Sequence, residues 1–237
     1  MIVIKNPPTK AKEHEVVPEG THLALLHSIA DLGMQDTTYN GEAQRKHKLY
    51  FAFEVPSQRM NVEQPDGTML SKPMWISRRY TASWYSESHL YRDITSWRGH
   101  GFKEDEYDRN GQVKFDVCKC LGKAATISVM HKKGVDRQGN PRTWANIQSI
   151  TGIVSGTVVP EMESPKIYFS PDHAEHVAMF EKFPYFVRQL IADGHPSLNL
   201  NPELERPAPA QPAPAQPAAP VVTASSGAVD LDDSIPF

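Results

Sequence analysis

Arg45-Lys46-His47-Lys48-Leu49-Tyr50-Phe51-Ala52-Phe53-Glu54-Val55 is the most informative stretch of this chain. Leu49, Phe51, Phe53 and Val55 fall on one side of an extended backbone, and Lys46, Lys48 and Tyr50 fall on the other. A two-residue period of this kind marks a strand with one buried face. The opposite face is basic and carries an aromatic ring.

Upstream, the apolar-rich run from His22 to Met34 predicts a first strand, and Tyr39-Asn40-Gly41 marks the hairpin turn that follows it. Downstream, residues 73–82 predict a third strand with Met74 and Ile76 inward and Trp75, Ser77 and Arg79 outward. Ser86 has the chemistry of a helix N-cap, Leu90, Ile94 and Trp97 then repeat at helical spacing, and Gly99 ends the run. Two more alternating segments follow. Residues 123–131 place Ala125, Ile127 and Val129 on one side. Residues 143–150 place Ala145 and Ile147 inward and Trp144, Asn146 and Gln148 outward. Ser170-Pro171-Asp172 reads as a helix start, with Val177 and Phe180 and then Phe183, Val187, Leu190 and Ile191 forming an apolar stripe that Gly194 stops.

Five strands with a helix between the third and fourth is the order of the OB-fold, whose barrel face binds oligonucleotides. The expected class is therefore mainly β: a five-stranded OB-fold barrel, C-terminal helices packed on it, and an acidic disordered tail. The expected organisation is a domain over 1–200, a Pro/Ala-rich linker over 201–229 and an acidic tip over 230–237. The linker repeats Pro-Ala-Pro-Ala-Gln-Pro between 207 and 217. Residues 207–220 have no large apolar side chain to offset the entropy of folding, and their prolines keep the segment extended.

The net charge is −3 over 237 residues, but the charge is unevenly placed. Residues 40–150 hold 18 Lys and Arg against 12 Asp and Glu, a balance of +6. From Asn201 onward there are five acids and one base, a balance of −4. Single-stranded nucleic acid needs cations that follow its backbone and flat rings that stack on unpaired bases. The faces opposite the core supply both. The candidate DNA-binding residues are Tyr39, Lys46, Lys48, Tyr50, Trp75, Arg79, Lys132, Lys133, Arg142 and Trp144, with His131 and Arg137 also in the last hairpin. Trp84 and Trp97 are assigned to packing.

Other chemistry finds weaker support. Cys118 and Cys120 do not have the spacing of zinc hooks and read as reduced, with one packed in the core. Glu104, Asp105, Glu106 and Asp108 form an acidic run that could hold Mg2+ in a nuclease, and that more simply caps or solvates a short helix. There is no phosphate-binding glycine loop of the Gly-x4-Gly-Lys type. No cofactor, metal or catalytic residue is expected. The longest apolar runs are short, such as 23–26, and residues 1–10 hold no apolar stretch of signal-peptide length, which predicts a cytoplasmic chain with no membrane partner.

Asp230-Leu231-Asp232-Asp233-Ser234-Ile235-Pro236-Phe237 resembles the C-terminal tip of bacterial single-stranded DNA-binding proteins, which is acidic, follows a low-complexity linker and ends in Ile-Pro-Phe. The resemblance implies docking of replication and recombination proteins through Asp230, Asp232, Asp233, Ile235, Pro236 and Phe237. The body resembles phage-encoded OB-fold single-stranded DNA-binding proteins over about residues 20–195, at Lys48-Leu49-Tyr50-Phe51, Ser77-Arg78-Arg79-Tyr80-Thr81, Ser96-Trp97-Arg98-Gly99, Leu121-Gly122-Lys123 and Trp144-Ala145-Asn146-Ile147. It implies a protein that coats single strands in DNA replication, recombination and repair, in a host cytoplasm. A strand-annealing recombination mediator is the nearest alternative, and a metal-dependent nuclease a more distant one.

Overall fold

The computed structural model describes residues 15–136 and 139–203, apart from the side chain of Tyr39. The chain divides into two units, Met1–Leu204 and Glu205–Phe237, and the second lies outside the described residues. Every described strand and helix belongs to the first unit.

Five strands, β1 (Gly20–Tyr39), β2 (Glu42–Glu63), β3 (Met69–Thr81), β4 (Ala124–Val135) and β5 (Pro141–Thr151), form an antiparallel sheet in the order β3-β2-β1-β4-β5. The sheet curls until its edge strands β3 and β5 approach, a nearly closed barrel. Where the ladder does not close, a side chain bridges the gap: Arg78 Nη1 donates to the Gln148 carbonyl at 3.2 Å. Gln148 is free to accept because the β4–β5 register shifts there, leaving it out of the pairing.

Helix α1 (His89–Arg98) lies between β3 and β4 in sequence, as the periodicity predicts. Its N-cap is Ser88 rather than Ser86: Ser88 Oγ accepts the Tyr91 N–H at 3.2 Å. Both serines can cap, but the Ser88 N–H is bonded to the Tyr85 carbonyl, so Ser86 sits inside a turn and the helix cannot begin there. Gly99, at φ 74°, closes the other end in the left-handed conformation that glycine adopts without a Cβ penalty. Leu90 and Ile94 insert into the barrel, where they meet Leu26, Phe51, Phe53, Ile76, Ile127 and Ile150.

β1 is buried from Ala24 to Ala30 without alternation, because both of its faces are covered. Its outer face, with Ala52 of β2, packs under a short strand β6 (Ile167–Phe169), parallel to β1, and two helices, α2 (His176–Glu181) and α3 (Tyr185–Gly194). Phe180, Phe183, Val187 and Ile191 fill this second core. The helix start expected at Ser170 is a turn instead, with the His173 N–H on the Ser170 carbonyl, and α2 begins at His176. The approach of α3 to β1 is close enough that a Cβ on Gly194 would lie 1.7 Å from the Leu32 carbonyl oxygen.

A strap before β6 is tied to the barrel by a buried carboxylate. Glu54 accepts the backbone N–H of Glu163 at 3.0 Å and of Ser164 at 2.7 Å. Among the described residues no helix is long and apolar enough to cross a membrane.

Candidate nucleic-acid interface

A cleft of about 710 Å³ opens where the ends of β1, β2 and β3 face β5, with Leu190 of α3 on its rim. Three of the candidate residues, Lys48, Arg79 and Trp144, line it together. They come from three strands and are brought together by the curl of the sheet.

Lys48 donates to Thr81 Oγ1 at 2.8 Å, across the β2–β3 pair. Partial burial first, and the charges of Lys46 and Arg79 second, hold its ammonium below the usual lysine range. Lys46 lies two residues away on the same face of β2, so Lys48 is repelled by both of its cationic neighbours. An anion placed between them would relieve that repulsion as well as pair with them.

Trp144 is half-buried on β5, and its indole lies across β4 at Gly134, where an added Cβ would approach Cζ3 to 2.9 Å. Arg142, two residues earlier on the same face, holds its guanidinium carbon 5.9 Å from the indole centroid. Lys132 is the cross-strand partner of Trp144 and shares that face. Lys133 pairs with Thr143 and points to the other face, beside His131, whose ring contacts the Val17 carbonyl. The structure thus groups Lys48, Arg79, Trp144, Arg142 and Lys132 and leaves Lys133 out.

Two further expectations change. Tyr50 does not present an open ring. It is 5% exposed beneath α3, edge-on to Phe186 at 6.1 Å, with its hydroxyl bonded to Ser77. Burial raises its pKa, and a base cannot reach the ring while α3 is in place. Trp75 is 49% exposed but lies away from the cleft. Its Nε1 donates to Ser164 Oγ at 2.8 Å and its indole packs on His27 at 4.4 Å, which holds it to the strap. The Tyr39 side chain, Arg137 and the tip residues Asp230, Asp232, Asp233, Ile235, Pro236 and Phe237 lie outside the described residues.

Sequence reading missed Gln35, Thr37 and Asn146, which also line the cleft. Asn146 was within reach, since it follows Trp144 by two on the same strand. Gln35 was not: its amide donates to the Leu32 and Leu190 carbonyls at 2.6 and 2.7 Å, which requires α3 to be docked. Arg78 also borders the cleft, yet its charge is held by Asp93 at 2.9 Å.

The remaining motifs have structural partners. Glu106 pairs with Arg98 at 2.6 Å, and Asp108 Oδ1 accepts the Asn110 and Gln112 N–H groups of a turn. Burial pushes the Cys118 and Cys120 thiols up to about 11. Among the described residues no group of three or more His, Cys, Asp or Glu side chains could hold a metal ion. Neither the protein-family models nor the curated proteins match this chain.

Proposed function

We propose that this protein coats single-stranded DNA without strong sequence preference, in phage DNA replication or recombination, and recruits other proteins through residues 230–237. In this reading the barrel is an OB-fold and the protein catalyses nothing. The observation that carries it is the convergence of Lys48, Arg79 and Trp144 on one cleft, flanked by Arg142 and Lys132. The cations can follow phosphates, and the indole offers a face on which an unpaired base can stack. A duplex keeps its bases stacked inside, so such a concave, ring-walled cleft suits a single strand better.

The test is a fluorescence-anisotropy titration with oligodeoxythymidines of increasing length and a matched duplex. Affinity is expected to rise with length to a plateau for the single strands, to fall with salt, and to be much weaker for the duplex. Equal affinity for the duplex, or no binding at low salt, would overturn the reading. Including Mg2+ and a complementary strand in the same series separates coating from cleavage and from annealing.

A further inference from the structure

A second cleft, of about 520 Å³, lies between the C-terminal end of α1, the segment leading into β4, and the chain after β5. It shares no lining residue with the first. Its walls are largely apolar, with Trp97, Phe115, Ile153 and Val159, and Arg98 lies among them, over the Phe115 ring and paired with Glu106. Of the residues between Ile153 and Val159 in sequence, Val154 and Val158 are 76% and 88% exposed, and Val159 itself is 40% exposed. Its rim is cationic. Lys119 and Lys123 line it and are exposed, and Lys166 reaches over Gly122, close enough that a Cβ there would meet its Nζ at 2.6 Å.

Exposed aliphatic side chains cost free energy in water unless something covers them. Lysines around such a patch select an occupant that is itself apolar and acidic. The wall offers little to a nucleic acid, because the Trp97 ring is packed against Phe53 and its Nε1 donates to the Ala124 carbonyl at 2.7 Å. Residues 230–237 of this chain have the complementary make-up: Asp230, Asp232 and Asp233 among Leu231, Ile235, Pro236 and Phe237. Residues 204–229 can span at most roughly 90 Å when fully extended, enough to bridge adjacent molecules.

We propose that this cleft receives residues 230–237 of a second copy of the chain, with the apolar side chains on its walls and the aspartates among Lys119, Lys123 and Lys166. The choice of a second copy rests on the coating function, which places copies side by side on one strand and raises their local concentration. The contact would link neighbours while leaving the first cleft open.

A labelled synthetic peptide with the sequence of residues 230–237 is titrated against the full-length protein and its Lys119→Glu/Lys123→Glu variant, with melting curves to show that both are folded. Sedimentation then follows self-association of the full-length chain, the variant and a chain lacking residues 230–237. The expected result is salt-sensitive peptide binding, weakened about tenfold by reversing two rim charges. Self-association should be lost in both altered chains, with single-strand affinity unchanged in the variant. The proposal fails if the peptide does not bind up to about 1 mM. It fails also if the peptide binds the variant equally, or if self-association survives in the altered chains. A variant that loses single-strand affinity as Arg79→Ala does would assign the cleft to DNA instead. Because the peptide arm contains no DNA, its outcome is independent of whether the protein coats single strands.

Discussion

The indole of Trp144 is seated on the backbone of Gly134, in the next strand of the same hairpin. An ideal Cβ at Gly134 would stand 2.9 Å from Cζ3, so no larger residue fits beneath the ring as it lies. Glycine here is a matter of space, and it sets the height of the indole above the sheet. Gly134→Val is expected to lift the ring out of the first cleft and weaken single-strand binding to nearly the level of Trp144→Ala. Trp144→Ala itself should cost about 1–3 kcal/mol of binding if the indole stacks on a base. Both variants should melt close to the parent, because the hairpin end is solvent-facing. Titration with oligodeoxythymidine, paired with thermal melts, reads out both effects. A Trp144→Ala chain that melts early and keeps its affinity would make the indole a packing residue.

Lys48 and Arg79 line the same cleft, and each is expected to displace a counterion from phosphate. Removing one such contact should flatten the log–log dependence of affinity on salt by about 0.7. Lys48→Ala and Arg79→Ala are each expected to do so, and the double variant by about twice as much. Lys133→Ala should leave the slope unchanged, because Lys133 points to the other face of the hairpin. Slopes measured between low and moderate salt decide the matter, and a parental slope in both cleft variants would remove them from the phosphate path.

Trp97 bridges helix and barrel. Its ring lies 5.8 Å from that of Phe53, and its Nε1 bonds the Ala124 carbonyl. Trp97→Ala should therefore destabilise the fold, at roughly the 3–5 kcal/mol typical of large aromatic truncations. Urea denaturation would measure it. Affinity for single strands, corrected for the folded fraction, should be unchanged.

His27 is buried between the strap and the barrel, 2% exposed, and its imidazole pKa is lowered from 6.5 to about 4. Desolvation is the main cause, opposed in part by the nearby Glu54 carboxylate. The unfolded chain therefore takes up a proton between those two values that the folded chain refuses. Stability from this group is complete above pH 6.5 and is lost as the pH falls toward 4, by about 3 kcal/mol over the 2.5-unit shift. His27→Phe keeps a ring against Trp75 and removes the titration. Its unfolding free energy should change less than the parent's between pH 7 and pH 4.5, and equal pH dependence would show that another group is responsible.

The period of β2 was legible in the sequence, and so were the turn at Asn40-Gly41, the glycine cap of α1 and the inward set of Met74, Ile76, Ile127 and Ile147. All of these follow from short-range backbone geometry, in which neighbouring residues decide the face on which each side chain lies. Knowing that a face points away from the barrel did not settle whether it meets water. Tyr50, Lys48 and Lys46 share one side of β2, yet Tyr50 lies beneath α3 while Lys48 lines the cleft. Trp75 and Arg79 share one side of β3, yet the strap claims Trp75 and leaves Arg79 on the cleft. Arg78 and Arg79 are adjacent, and only the packing of α1 brings Asp93 to neutralise the first. The chain's alternation determined two faces per strand. Contact with segments distant along the chain, 89 residues away for Trp75 and Ser164, determined which parts of the outer face are covered and which are open surface, because covering apolar area is a non-local event that no local period records.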